Sequence, residues 1–303
     1  MFRKMKAFLV VLLAFMVSSP IISAAYNITA EKIKITSRGV KIPAIVTIPV
    51  GTSNEKFPVV IIAHGHGGSK EENGGLTTLA ESLAIKGIAS IRMDFPGCGE
   101  STESFTENRI SNMMLDIKNS RDYMIKKSNI DADKVGIFGY STGGRLVMAT
   151  VNQDSSYKAV TLLAPSADDG QLMINRLVGG EEKAEEMYQT ALKNGFIEFT
   201  TKYGQKQKLS KGWFEDLKAS FPLEHVGNFK GDVLVIYGDK DTSVSPVVAL
   251  ATAGAFVNNA KSVKTHLIKG ADHGYGFYNN SQVDMKNDVA ITTTEFFEKT
   301  LKK

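Results

Sequence analysis

The stretch Lys134-Val135-Gly136-Ile137-Phe138-Gly139-Tyr140-Ser141-Thr142-Gly143-Gly144-Arg145-Leu146 constrains this chain more than any other. A short apolar run enters Gly-x-Ser-x-Gly, and Leu146-Val147-Met148-Ala149 continues with residues that suit a helix. Strand, sharp turn and helix in that order push Ser141 out at the tip, in a strained backbone conformation. Gly139 and Gly143 then let neighbouring backbone pass without a Cβ clash. The hydroxyl faces outwards, and the Thr142 amide at the helix start points towards any developing oxyanion. The pentapeptide alone also suits a plain turn, so its reading depends on whether the rest of the chain supplies partners.

The chain on either side alternates strands with helices. Residues 31–49 alternate apolar and polar about Arg38-Gly39, which predicts an edge hairpin where Pro43 and Pro49 are tolerated. Phe57-Pro58-Val59-Val60-Ile61-Ile62-Ala63 is continuously apolar, as a strand buried on both faces must be, and it ends in His64-Gly65-His66-Gly67-Gly68. Helical spacing runs over 77–86, a strand over 88–94 and a long amphipathic helix over 109–127. The order continues with strand 134–138, helix 142–152, strands 159–164 and 232–237, a helix from Pro246, strand 262–268 and a terminal helix from about Val283. This pattern predicts an α/β fold with a mostly parallel central sheet covered by helices on both faces. Between Ala167 and His225 the alternation breaks: about 58 residues hold charged helical stretches and a lysine-rich run over 202–211, with no buried strand. A structureless loop of that length is improbable in a compact domain. The expected organisation is therefore a core over 26–166 and 227–303, with residues 167–226 inserted as a cap over the carboxyl edge of the sheet.

Ser141, Asp241 and His273 each follow an expected parallel strand, at the sheet edge where open α/β sheets bind ligands. They lie about 100 and 32 residues apart, in the order Ser, Asp, His. Asp241 sits in Gly238-Asp239-Lys240-Asp241-Thr242-Ser243-Val244, where Asp239 competes for the same place and Asp241 is favoured. A serine hydroxyl is a poor nucleophile, so His273 takes its proton, and Asp241 accepts the other imidazole N–H and fixes the tautomer. The second oxyanion donor, beside Thr142, is assigned to the His66 amide. His64 and His66 could suggest a metal, but no carboxylate or cysteine accompanies them at ligand spacing, so no metal is expected. His64 is expected to bond backbone beneath the site, and Asp94 with Arg92 to organise the Phe95–Ser101 loop. Cys98, on a different loop with no elbow, reads as a small buried hydrophobe.

On these residues the chain resembles the α/β-hydrolase superfamily of serine hydrolases across nearly all of its length past residue 25. The matching elements are His64-Gly65-His66-Gly67-Gly68, Asp94-Phe95-Pro96-Gly97-Cys98-Gly99-Glu100-Ser101, Gly139 to Gly144, Gly238 to Val244 and Asp272-His273. Within it, the chain is most similar to the bacterial cinnamoyl and feruloyl esterases, through Lys208-Leu209-Ser210-Lys211-Gly212-Trp213-Phe214 read as a turn and helix, then Phe221-Pro222-Leu223-Glu224. The resemblance implies carboxylic-ester hydrolysis through an acyl-enzyme, without cofactor, with aromatic cap residues holding the acyl group; Tyr203 and Trp213 are the candidates. Tyr140 and Thr142 stand where related esterases often carry histidine and glutamine.

Arg3, Lys4 and Lys6, the apolar run 7–17 and Ser23-Ala24-Ala25 read as an export signal cleaved after Ala25, placing the protein in the periplasm or outside the cell. Eleven apolar residues fall short of the ~20 that span a bilayer, and no cysteine is placed for lipid attachment, so no membrane anchor is expected after cleavage. Without that segment 33 basic and 32 acidic residues remain, a balance of about +1. Nothing in it calls for a nucleic-acid partner. One cysteine allows no intrachain disulfide. The expected partner is a small-molecule ester, and oligomeric state stays open, a dimer included. Competing readings are an acetyl-xylan or lipid esterase, a peptidase of the prolyl-oligopeptidase type and a non-catalytic binding domain. After the expected cleavage only about 30 residues would precede the first buried strand, where such peptidases usually carry a propeller.

Overall fold

The computed structural model describes residues 25–201, 203–224 and 226–303. The expected signal over 1–25 lies outside the described residues except for Ala25, as do Lys202 and His225. β1 (Asn27–Ser37) and β2 (Val40–Val50) form the expected hairpin. It turns on Arg38 and Gly39 at φ 54° and 80°, a positive pair whose twist matches the flanking strands. β3 (Phe57–Ala63), α1 (Gly75–Ile85), β4 (Ala89–Met93) and α2 (Ile110–Met124) come next. The elbow lies between β5 (Ile130–Tyr140) and α3 (Thr142–Gln153), and β6 (Tyr157–Leu163) follows.

β1 is the true edge, because β2 also pairs antiparallel with β4 over Ala44 to Thr47. Pro43 and Pro49 flank that four-residue ladder. The Pro43 carbonyl accepts the Asp94 amide at 2.9 Å, so both prolines turn their missing N–H to the β4 side, just beyond the bonds they would break.

The segment after β6 contains α4 (Gly170–Val178), α5 (Glu181–Asn194), β7 (Phe196–Thr200), β8 (Lys206–Ser210) and α6 (Lys211–Lys218). β7 and β8 pair as a separate antiparallel hairpin, which the lysine-rich composition concealed. Lys206 and Lys208 point to solvent while Gln207 and Leu209 are buried, so a period of two was present beneath the charge. Lys208-Leu209 is thus strand rather than turn. Ser210 caps α6 by accepting the Trp213 amide at 3.2 Å. The chain closes with β9 (Asp232–Gly238), α7 (Pro246–Phe256), β10 (Ser262–Ile268) and α8 (Val283–Leu301).

The eight-stranded sheet has the order β1-β2-β4-β3-β5-β6-β9-β10 and is parallel from β4 to β10. Alternate residues of one strand build two cores. Val59 and Ile61 pack with Met113 and Ile117 of α2 and Leu146 and Val147 of α3. Val60 and Ile62 pack with Leu79 and Leu83 of α1 and Phe296 and Phe297 of α8. Each such side chain, fully removed from water, stabilises the fold by about 1.5–3 kcal/mol. Two helix layers on one sheet explain why Phe57 to Ala63 carries apolar residues without alternation.

Candidate active site

The elbow forms as its glycines demand. Ser141 has φ 54° and ψ −116°, a conformation an L-residue holds only when its surroundings impose it. A Cβ on Gly143 would overlap the Ala63 carbonyl oxygen, and one on Gly139 would overlap the backbone of Gly143. Backbone on both sides thus fixes the turn, with Ser141 at its tip.

His273, after β10, turns its ring back over this tip. The Ser141 hydroxyl donates to His273 Nε2 at 3.0 Å, and His273 Nδ1–H donates to Asp241 Oδ2 at 2.7 Å. Asp241, 3% exposed, is itself immobilised: its Oδ1 accepts the amides of Ser243 at 2.9 Å and Val244 at 2.8 Å. The Tyr275 hydroxyl donates to Oδ2 at 3.3 Å. Asp239 instead accepts the Gly270 amide at the surface. The three residues assigned from their order along the chain are therefore brought into one hydrogen-bonded line, and Asp239 stays outside it.

The turn after β3 runs alongside the elbow. A Cβ on Gly65 would lie 3.3 Å from the Tyr140 ring and 3.4 Å from Ser141 Cβ, which leaves this backbone in contact with the serine. Among the described residues neither the His66 amide nor the Thr142 amide donates to a protein acceptor. His64 is buried beneath, Nδ1–H donating to the Gly65 carbonyl at 2.8 Å and Nε2 accepting the Phe95 amide at 3.1 Å. Both ring nitrogens are used within the protein, and burial holds the ring below the usual histidine range, hence neutral. Burial has the same effect on His66. Among the described residues no group of three or more His, Cys, Asp or Glu side chains is arranged to hold a metal ion.

A cleft of ≈ 620 Å³ opens over Ser141 and His273. Tyr203, 71% exposed, stands at its wall, as do Met173 and Leu177 of α4. Trp213 does not: it is 3% exposed, packed edge-on against Phe214 at 4.9 Å and facing the His66 ring at 6.3 Å. α6 turns Trp213, Phe214 and Leu217 inwards as one apolar face, so Trp213 lies behind the cleft wall, where it lines a small pocket with His66, Thr142 and Met173. Arg92 is likewise not in the Phe95–Ser101 loop; it donates to Thr47 at 2.9 Å and reaches towards Thr77. Asp94 does organise that region, accepting the Lys70 and Glu100 amides and the Lys70 ammonium. Cys98 is buried, and its thiol is pushed up to about 12, which makes it unreactive near neutral pH.

Three supporting residues escaped the sequence reading. Tyr140 stacks against the His273 ring at 5.4 Å and donates its hydroxyl to the His273 carbonyl. Glu72, 1% exposed, accepts the Gly65 amide at 3.0 Å and the Tyr278 hydroxyl, so one carboxylate ties the turn after β3 to the loop bearing His273. Arg145, fully buried on α3, donates to the Ser220 hydroxyl at 2.8 Å and the Asp168 carbonyl, joining both ends of the inserted segment to the elbow helix. Burial lowers its guanidinium to about 10, still charged at neutral pH. No local motif announces these contacts, which join residues 7 to 206 positions apart.

An open, mostly parallel sheet whose strand ends carry serine, aspartate and histidine in one line defines an α/β hydrolase. The chain belongs to the prolyl oligopeptidase family, whose model matches residues 76–303. Its fold is similar to that of Est1E from Butyrivibrio proteoclasticus, solved with ferulic acid bound: TM-score 0.73 and 23% identity, over 89% of this chain and 100% of that one. The Pyrococcus horikoshii acylaminoacyl peptidase matches at TM-score 0.65 and 17% identity, over 91% of this chain and 42% of its own. An uncharacterized Escherichia coli protein of the traX-finO intergenic region is 26% identical over 197 residues, 62% of this chain and 68% of that protein.

Proposed function

We propose that the chain is an exported serine carboxylesterase that cleaves small acyl esters, hydroxycinnamoyl (feruloyl-type) esters foremost, through an acyl-enzyme. The observation that carries this reading is the unbroken line from Asp241 through His273 to the Ser141 hydroxyl, on the floor of the cleft. Ser141 Oγ attacks the ester carbonyl while His273 Nε2 takes its proton. The carbonyl oxygen becomes an oxyanion facing the Thr142 and His66 amides, each contributing roughly 3 kcal/mol to the transition state. Collapse breaks the bond to the alkoxy oxygen, and His273 returns the proton to the departing alcohol. Water, activated by the same imidazole, then releases the acid. Asp241 stabilises the imidazolium in both halves.

A cleft walled by Tyr203, Met173 and Leu177 suits a flat aromatic acyl group. The likeness to Est1E supports the fold behind that choice, not the substrate. Export rests on the basic and apolar residues before Tyr26. Membership in the prolyl oligopeptidase family favours a second reading, hydrolysis of an amide in the same site.

Residues 26–303 assayed on p-nitrophenyl acetate, p-nitrophenyl butyrate, methyl ferulate and an N-acyl amino-acid p-nitroanilide separate these readings. The proposal expects the highest kcat/KM on methyl ferulate. Cleavage of the short aliphatic esters alone would keep the esterase and remove the aromatic acyl group. Preference for the anilide would transfer the site to peptide chemistry.

A further inference from the structure

The β7–β8 hairpin reaches across to the turn that carries the proposed oxyanion donor. His66 Nε2–H donates to Gln207 Oε1 at 2.9 Å, and Gln205 Nε2–H donates to the Gly67 carbonyl at 2.9 Å. Both glutamines lie against Gly67, where a Cβ would come within 2.6 Å of Gln205 Oε1 and 2.7 Å of Gln207 Nε2. Gly67 itself is at φ 64°. The His66 ring is wedged from behind by Phe105 at 5.6 Å and Trp213 at 6.3 Å. Gln207 is 4% exposed, and its Nε2 has no hydrogen-bond partner among the described residues. An unmatched buried donor disfavours folding, and an apolar side chain of similar size would avoid it. Packing alone therefore does not explain a glutamine here; its acceptor oxygen does.

We infer that Gln207, seconded by Gln205, is a positioning residue for the hydrolytic reaction: by accepting from the His66 ring it holds the His66 amide where the oxyanion forms. This rests on the assignment of His66 as an oxyanion donor. The inserted segment then does more than wall the cleft, since one of its strands completes the turn opposite Ser141. Backbone donors stabilise an oxyanion only when aimed within a fraction of an ångström, and displacements of about 1 Å cost on the order of a hundredfold in rate.

The test compares Gln207→Leu with Gln207→Glu. Leucine keeps the bulk and removes the acceptor; glutamate keeps an acceptor oxygen and introduces a charge that is costly to bury. The inference expects Gln207→Leu to lower kcat roughly ten- to hundredfold, with KM within about twofold. It expects Gln207→Glu to retain the larger kcat and to add an ionisation to the pH profile, from the new carboxylate–imidazole pair. A purely structural role reverses the order, with leucine the better enzyme and glutamate the less stable protein. Nitrogen-15 NMR of the histidine rings gives a readout independent of turnover. The proton must sit on His66 Nε2 in the wild type, and its exchange must quicken in Gln207→Leu. A wild type inactive on every ester and amide would remove the functional reading while the NMR still decided the contact. A proton on Nδ1, or an unchanged kcat in Gln207→Leu, would overturn the inference.

Discussion

Ser141→Ala and His273→Ala each lower kcat by about a millionfold, and the double variant is no worse than either alone. Nucleophile and base act as one unit: with either missing, no proton leaves an attacking hydroxyl. What persists is hydrolysis by water aided by the oxyanion amides, roughly a thousandfold above the uncatalysed rate. Asp241→Asn keeps the shape of the aspartate pocket but offers an N–H where His273 Nδ1–H needs an acceptor. It should cost about 10⁴ in kcat, by favouring the wrong imidazole tautomer. KM should move little in all of them, because the three groups act in the transition state and contribute little to holding the ground-state substrate. Single-turnover assays on p-nitrophenyl butyrate, with variant protein freed of wild-type contamination, measure these ratios. Additive losses in the double variant would show that serine and histidine do not act on the same step.

Gly143→Ala should unsettle both stability and activity. The added methyl group would overlap the Ala63 carbonyl oxygen and lie 2.7 Å from that of His64, and neither backbone can retreat without dragging β3. Overpacking commonly costs 1–3 kcal/mol, and rigid neighbours put this site at about 3. Each kcal/mol shifts Tm by roughly 2–4 °C in a domain of this size, so a fall of about 10 °C is expected in calorimetry. Any relief moves the Thr142 amide, so kcat falls as well. Gly254→Ala is the contrast. It lies within α7 with nothing inside 4 Å of its added Cβ, and should stabilise by up to about 1 kcal/mol through helix propensity alone. Equal effects from the two substitutions would mean that the elbow is not held by backbone contact.

Gly143 also marks what the sequence makes legible. Gly139, Ser141 and Gly143 are a local pattern, and local geometry requires them wherever the turn falls. Phe57 to Ala63 announces a doubly covered strand because its hydrophobicity has no period. The order of Ser141, Asp241 and His273, one after each of three strands, follows from a parallel sheet that puts its strand ends on one edge. Contacts made by unrelated segments leave no such trace. Glu72 meets Tyr278, and Gln207 meets His66, only once the chain has folded. Trp213 shows a different limit. An aromatic residue in an inserted segment could face a ligand or a core, and only the phase of α6 turns it inwards, beside His66 and Thr142 rather than into the open cleft. The β7–β8 strands were hidden by lysines that occupy the outward positions of an otherwise ordinary alternation.

The proposal that Ser141 is the nucleophile is tested most directly by covalent capture. Residues 26–303, Ser141→Ala and His273→Ala would be treated with a fluorophosphonate, and the adduct located by peptide mass mapping. One adduct is expected on the wild type, at Ser141, with none on Ser141→Ala and far slower labelling of His273→Ala. Label on another residue, or equal labelling of wild type and Ser141→Ala, would contradict the account.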